Sequence, residues 1–164
     1  MRLAISLASS EPTQAMTRPR VLLADDHALV LGVLERLLEE EYEIVGKVAD
    51  GRALVERAIA LAPDAVVTDI SMPELNGLEA TRQILAQLPQ VRIVVLTVHR
   101  DAALAAEALR AGAAGYVLKQ SAVGELRQAL RDALRGMTYV TALVAESDAV
   151  RLAPSQPDPS SKNS

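Results

Sequence analysis

The sequence predicts an α/β protein in which a parallel sheet lies between two layers of helices. Short runs rich in Val, Ile and Leu alternate five times with longer segments whose apolar residues recur at helical spacing. The short runs are apolar on both faces, as strands are when helices cover both sides of a sheet. Five strand–helix pairs in series, without a solenoid-type repeat, therefore favour a single sheet of this kind.

The first half of the chain supplies three of these pairs. RVLLAD is a continuous apolar run that ends in acid, and leucines three or four residues apart follow it. YEIVGKVAD is β-rich, and the helical segment after it stops at Pro63. DAVVTDI is apolar up to its acidic end, and the loop SMPELNG separates it from a helix. The predicted strands are residues 20–25, 42–50 and 64–70, and the predicted helices are residues 27–41, 51–62 and 78–88.

The second half supplies the other two pairs. VRIVVLTV is the most β-branched run of the chain, which favours a buried strand. An alanine-rich helix closes at Gly112 and the last helix at Gly136, since glycine commonly follows a helix C-terminus. The predicted strands are residues 91–98 and 115–119, and the predicted helices are residues 101–112 and 122–136.

The two ends of the chain differ in composition from the middle. The first residues are rich in Ser, Thr and Pro, and residues 153–164 are dense in Pro and Ser, a composition that buries too little apolar surface to fold. We expect a flexible extension over residues 1–18, one domain over 19–140 and a linker or disordered tail over 141–164. Met16 precedes TRPR and is an alternative to Met1 as the true start.

Composition excludes several classes of function. A net charge of −4 argues against a nucleic-acid groove, which needs clustered Lys and Arg. The chain has no Cys, so disulfides and Cys-based metal sites are excluded. No segment approaches the roughly 20 apolar residues that cross a bilayer. We therefore expect a soluble cytoplasmic protein without a membrane partner.

Polar side chains follow four of the predicted strands at their carboxyl ends. Asp25 and Asp26 end the first strand, Asp69 the third, Thr97 the fourth and Lys119 the fifth. In a parallel sheet these ends meet at the edge where ligands bind. Three converging carboxylates repel one another unless a cation binds, and Mg²⁺ is a hard cation that prefers such ligands. A carboxylate nucleophile beside an ammonium and a hydroxyl suits phosphoryl transfer.

Four motifs in this order, ADDH, VVTDISMPELNGLEA, VVLTVH and AGAAGYVLK, resemble the receiver domain of bacterial two-component response regulators. The DDH start, the DISMPELNGLEA loop and GYVLK followed by Gln120 are most similar to the NarL/LuxR-type subfamily. The resemblance covers residues 20–137. It implies a flavodoxin-like (βα)5 three-layer sandwich with the parallel strand order 2-1-3-4-5.

The resemblance also implies the acceptor and the metal ligands. Asp69 is expected to be the phospho-acceptor. Asp25 and Asp26 are expected to hold Mg²⁺ together with Asp69 and the main-chain carbonyl of Ser71. The phosphoryl group would come from a histidine kinase or a small phosphodonor, and the chain would catalyse at most its own phosphorylation and dephosphorylation.

Three further residues are expected to bind the phosphoryl group or respond to it, and two to shape the loop beside it. The resemblance implies that Thr97 and Lys119 bind the phosphoryl group and that Tyr116 is the rotameric switch. Pro73 and Gly77 are expected to shape the loop after the acceptor. The face formed by the fourth strand, the fourth helix and the fifth strand would change its packing, and homodimerisation or partner binding would change with it.

Alternatives remain open for the whole chain. NarL/LuxR-type regulators carry a helix-turn-helix module after the receiver, and the stretch after Gly136 is too short for one. The chain is either a stand-alone receiver or a truncated or frameshifted transcriptional regulator, and we do not expect it to bind DNA directly. A phosphatase of the haloacid dehalogenase type would need a second Asp at Ser71. A degenerate module would have lost an acidic or Lys position, and none is lost.

Simpler structural roles compete with the functional ones. Asp25 and Asp26 lie just before a helix, where either could cap its free amides. We interpret His27 and His99 as structural or surface residues, because neither has a His or Cys partner at metal-ligand spacing. His99 lies two residues after Thr97, where it could line the mouth of the site.

Overall fold

The computed structural model describes residues 17–145 of the chain. Within these residues six strands and six helices alternate, and a 3₁₀ turn, Lys119–Ser121, precedes the fifth helix. The strands are β1 (Arg20–Ala24), β2 (Glu43–Val48), β3 (Ala65–Thr68), β4 (Arg92–Thr97), β5 (Gly115–Leu118) and β6 (Tyr139–Val140). The helices are α1 (Ala28–Leu38), α2 (Gly51–Leu61), α3 (Gly77–Gln87), α4 (Ala102–Arg110), α5 (Ala122–Leu134) and α6 (Ala142–Ala145).

All six strands are parallel and form one sheet in the order β2-β1-β3-β4-β5-β6. The predicted flavodoxin-like α/β fold with order 2-1-3-4-5 is confirmed for the first five strands. The sixth strand was not predicted. It extends the sheet beyond β5, where Tyr139 N donates to Ala114 O at 3.0 Å and Thr141 N to Tyr116 O at 3.0 Å.

Helices cover both faces of the sheet, because alternate strand residues point to opposite sides. Val21 and Leu23 of β1 pack with α1 and α5 on one face. Leu22 and Ala24 pack with α2 and α3 on the other face, and α4 packs beside them against β4 and β5. The core consists mainly of Leu, Val, Ile and Ala, as the low aromatic content requires.

Helix ends deviate from the predicted bounds where local chemistry decides. α1 ends at Leu38 rather than at residue 41, since three consecutive glutamates follow and negative charge is unfavourable at a helix C-terminus. α3 begins one residue earlier than predicted, because the Asn76 side chain caps it by accepting from Leu78 N and Glu79 N, both at 2.9 Å.

The predicted terminal segments, residues 1–18 and 141–164, lie largely outside the described residues, as do both candidate start methionines. The domain boundaries therefore stay predictions. None of the helices between residues 17 and 145 has the length and apolar character that a membrane crossing requires.

Candidate functional site

The carboxyl edge of the sheet brings Asp25, Asp69 and Lys119 into direct contact. They follow β1, β3 and β5, so the parallel register places them at one level. Lys119 Nζ lies 2.6 Å from Asp25 Oδ2 and 3.0 Å from Asp69 Oδ2. Asp25 is 1% exposed and Asp69 6% exposed. One ammonium therefore serves two nearly buried carboxylates.

Two opposing effects act on the pKa of Lys119. Burial disfavours the charged ammonium and would lower the pKa. The hydrogen bonds to Asp25 and Asp69 favour the ammonium and outweigh the effect of burial, so the pKa lies above its ordinary value. Lys119 therefore carries its charge into the site at neutral pH.

Asp26 lies at the rim of the site and shares a histidine with Asp25. The Asp26 side chain is 31% exposed. His27 Nδ1 lies 3.2 Å from Asp25 Oδ1 and 3.1 Å from Asp26 Oδ1. Within residues 17–145, the ligand atoms of these three residues all lie within 4.8 Å of one another, whereas Asp69 meets Asp25 through Lys119.

This contact of His27 was not foreseen, although its position next to the Asp pair was a signal for it. Its side chain is 67% exposed, as a surface residue would be, but its ring faces the two acids. His27 is also the N-cap residue of α1 and makes no side-chain cap. Asp25 Oδ1 instead accepts from His27 N at 2.9 Å, so neither aspartate takes the capping role considered above.

The oxygen-rich donor set fits a hard divalent cation such as Mg²⁺. The carboxylates of Asp25 and Asp26 stand side by side, and Asp69 lies across Lys119 from them. An open groove of about 520 Å³ adjoins Asp26. The groove is lined by Asp26, Ile70, Ser71, Met72, Pro73 and Asn76. Mg²⁺ commonly binds through one or two carboxylates and keeps several waters, and an open groove admits those waters.

The loop after Asp69 is fixed by backbone contacts at both of its ends. Ile70 N donates to Asp69 Oδ1 at 2.7 Å, and Gly77 N donates to Ile70 O at 2.8 Å. A Cβ on Gly77 would lie 1.9 Å from Asp69 O, so only glycine fits there. Pro73 O accepts from Gly51 N at 3.2 Å, which ties the loop to α2. Pro73 and Gly77 thus both take part in the backbone hydrogen bonds that hold this loop in place.

His99 joins three parts of the site. Its N–H donates to Thr97 Oγ1 at 3.3 Å, its carbonyl accepts from the Tyr116 hydroxyl at 2.7 Å, and its Nε2 lies 3.1 Å from Ser71 Oγ. Thr97 and Tyr116 are fully buried. Burial raises the pKa of Tyr116, and the charges of Asp101 and Asp69 raise it further. The sequence located His99 near the site mouth, but these contacts depend on the turn after β4, which the sequence did not specify.

Sequence comparison with known proteins shows the family of this chain. The model of the response regulator receiver domain matches residues 21–131. Response regulator UvrY of Escherichia coli O6:H1 is 40% identical over 132 residues, which cover 79% of this chain and 61% of UvrY. Response regulator GacA of Pseudomonas viridiflava is 36% identical over 134 residues, which cover 80% of this chain and 63% of GacA. The chain thus spans less than two thirds of the length of these curated relatives.

Solved structures point the same way. A LuxR-family two-component response regulator from Aurantimonas sp. SI85-9A1 superimposes with a TM-score of 0.77 at 34% identity, covering 82% of this chain and 96% of that one. The receiver domain of the NarL regulator of Mycobacterium tuberculosis gives a TM-score of 0.70 at 32% identity, covering 73% and 98%. The chain belongs to the receiver domains of two-component response regulators of the LuxR/NarL type.

Proposed function

We propose that this chain is a Mg²⁺-dependent phosphoryl acceptor of a cytoplasmic phosphorelay, with Asp69 as the acceptor and a histidine kinase as the donor. The observation that carries the proposal is the position of Lys119, whose ammonium contacts both Asp25 and Asp69 at the open edge of the sheet. This arrangement provides a carboxylate nucleophile with a fixed positive charge beside it. Family membership supports the same assignment.

The transfer needs few chemical groups. A carboxylate oxygen of Asp69 attacks the phosphorus of a phosphohistidine, an O–P bond forms, the P–N bond breaks, and the electron pair stays on the imidazole nitrogen. Lys119 neutralises charge on the transferring oxygens, and Thr97 can donate its hydroxyl proton to one of them. Bound Mg²⁺ would add positive charge beside those oxygens. Asp25, Asp26, Asp69 and the main-chain carbonyl of Ser71 would hold it.

The response would follow from the contacts of His99. Once Thr97 donates to a phosphoryl oxygen, the turn after β4 moves toward the acceptor and carries the carbonyl of His99 with it. That carbonyl already accepts from the hydroxyl of the buried Tyr116, so the movement would favour the buried position of the Tyr116 ring over an outward one. The β4–α4–β5 face is the bistable element.

A change in homodimerisation is the consequence that we propose for the whole molecule. RcsB, a neighbour with a TM-score of 0.73 and 28% identity, has a structure described as two dimers bound to two parallel DNAs. That likeness supports dimerisation as the response of this chain. We do not assign DNA binding to the chain itself, whose net charge is −4.

Acetyl phosphate with Mg²⁺ tests the proposal. Wild type should gain one phosphoryl mass in intact-mass spectrometry, with acetate leaving as the P–O bond breaks, and EDTA should prevent the gain. Asp69→Asn should gain none, because an amide is a poor nucleophile. Asp132→Asn, which lies on α5 away from the site, should behave like wild type. Equal phosphorylation of Asp69→Asn and wild type would rule out Asp69 as the acceptor.

A further inference from the structure

Residues 139–145, here called the strap, run along the outer edge of β5. The strap comprises β6, Thr141 and α6. Tyr139 N donates to Ala114 O and Thr141 N to Tyr116 O, both at 3.0 Å, and Leu118 N donates to Thr141 Oγ1 at 3.1 Å. The strap therefore forms hydrogen bonds along the whole length of β5, and it covers an edge of the sheet that would otherwise be open.

One side of the strap is held by Glu125 of α5. The Thr141 hydroxyl donates to Glu125 Oε1 at 3.0 Å, and Thr141 is 1% exposed. Burial raises the pKa of Tyr139 to about 12, and the nearby negative charge of Glu125 adds to the effect. The Glu125 carboxylate therefore links Thr141, a buried residue of the strap, to α5.

The other side of the strap packs on the face that contains Tyr116. Val144 is 1% exposed and lies in one apolar cluster with Tyr116, Leu118, Ala105 and Ala108. Val140 packs against the same cluster. Tyr116 has the largest side chain of this cluster, so a ring that left it would loosen the packing in which Val144 is buried. The seated strap and the buried Tyr116 therefore stabilise each other.

We propose that the strap responds to the position of Tyr116: it stays packed on β5 while the Tyr116 ring is buried and detaches when the ring leaves the apolar cluster. This inference rests on the proposed function, in which phosphorylation of Asp69 favours the buried position of Tyr116 through Thr97 and His99. Phosphorylation then tightens the strap, and by linkage a loosened strap disfavours phosphorylation.

The size of the strap suits a reversible contact. β6 has two residues and α6 four, so each is too short to be stable alone. Segments of this kind open locally at a small fraction of the free energy of global unfolding. A modest shift in the position of Tyr116 can therefore change how often the strap is detached.

Hydrogen exchange with and without acetyl phosphate and Mg²⁺ tests the coupling. We expect the amides of Tyr139, Thr141 and Leu118 to exchange roughly tenfold more slowly in the phosphorylated chain, in line with typical coupling between sites. Asp69→Asn should show no such change. Unchanged or faster exchange in a chain whose phosphoryl mass is confirmed would overturn the inference while the proposed function stands.

A substitution in the strap tests the inference without phosphorylation. Thr141→Val removes the hydroxyl that links Leu118 to Glu125, and Thr138→Val makes the same change at an exposed position. The chain has three Tyr, so fluorotyrosine labelling gives three ¹⁹F resonances. Thr141→Val should shift or broaden the Tyr116 resonance, and Thr138→Val should leave it unchanged. An unchanged Tyr116 resonance in Thr141→Val would contradict the proposed coupling between the strap and Tyr116.

The two experiments separate the possible failures. In a phosphorylation-competent chain, Thr141→Val should also lower the steady phosphorylated fraction severalfold relative to Thr138→Val, which a merely structural role of the strap would not do. If wild type gains no phosphoryl mass, the proposed function is wrong and the phosphorylation-driven tightening is wrong with it. The ¹⁹F result still decides whether the strap and Tyr116 are coupled.

Discussion

Gly77 occupies a backbone position at which any side chain collides with the loop that carries Asp69, the proposed acceptor. A Cβ there would lie 1.9 Å from Asp69 O and 3.1 Å from the Cα of Ile70. Both neighbours are backbone atoms, so neither can rotate away. Gly77 N also donates to Ile70 O at 2.8 Å, which fixes the start of α3 against the loop.

Gly77→Ala should therefore destabilise the protein by about 2–4 kcal/mol, in the range of a substitution that forces the backbone to move. If Asp69 is phosphorylated as proposed, Gly77→Ala should also slow that reaction, because the loop after Asp69 is displaced. Urea denaturation and intact-mass kinetics with acetyl phosphate would measure the two effects.

Two other glycines provide matched controls. A Cβ on Gly32 in α1 or Gly124 in α5 meets nothing within 4 Å. Alanine at Gly32, in the interior of α1, should stabilise the protein by roughly 0.5–1 kcal/mol, because glycine there costs conformational entropy. Alanine at Gly124, in the first turn of α5, should have an effect of the same sign and of at most this size. A Gly77→Ala protein as stable as these controls would contradict the steric account.

The sequence located the main site residues because strand ends meet at one edge of a parallel sheet. Asp25, Asp69 and Lys119 could be brought together on that rule alone. The roles of His27 and His99 could not be inferred in the same way. Their contacts depend on the backbone conformation of the turn after a strand. That conformation positions the backbone and ring atoms, and it cannot be read from the spacing of residues in the sequence.

Among the elements, two arginines of α5 form a clamp with the last turn of α1 and with the loop that follows it. Arg131 of α5 donates to both carboxylate oxygens of Glu41, at 2.8 Å from Nε and 2.9 Å from Nη2. Arg127 Nη1 donates to Leu37 O at 3.1 Å. The hydrogen bond to Arg131 lowers the pKa of Glu41, with burial opposing it and the charges of Arg131 and Arg127 adding to it.

This clamp should contribute stability that depends on pH. Because the folded-state pKa of Glu41 lies below its ordinary value of 4.5, the contribution is present above that value and is lost as the pH falls through the folded pKa. Arg131→Met should lower the Tm slightly at neutral pH and by progressively less below about pH 4.5. A difference in Tm that stays constant between pH 7 and pH 3 would contradict this account.

The five predicted strand–helix pairs all exist, since each had a long enough run of one period to identify it. β6 was missed because Tyr139 and Val140 are too few to show alternation. Its place in the sheet is set from outside, by the open edge of β5 and by Glu125. Short elements held by tertiary contacts are the part of this fold that a local pattern does not reveal.

For the molecule as a whole, the carboxyl edge of the sheet concentrates negative charge that Lys119 offsets. Asp25 and Asp69 come from two different strands, and both are nearly buried. The side chain of Lys119 is 18% exposed and bridges them. The ion pairs therefore connect β1, β3 and β5 at the level of the site, and a bound divalent cation would take over part of this role.

Lys119→Met should destabilise the protein by about 2–3 kcal/mol in the absence of Mg²⁺, because it leaves two close, buried carboxylates without a counter-charge. Added Mg²⁺ should stabilise this variant by more than it stabilises wild type, since the ion supplies the missing positive charge. Urea denaturation with EDTA and with Mg²⁺ measures both effects.

Lys47→Met, which removes an exposed lysine paired with Glu35, should change stability by less than about 1 kcal/mol with or without Mg²⁺. Equal stability of Lys119→Met and wild type in EDTA would contradict the electrostatic role of Lys119, and a Mg²⁺ effect in neither protein would contradict the metal site.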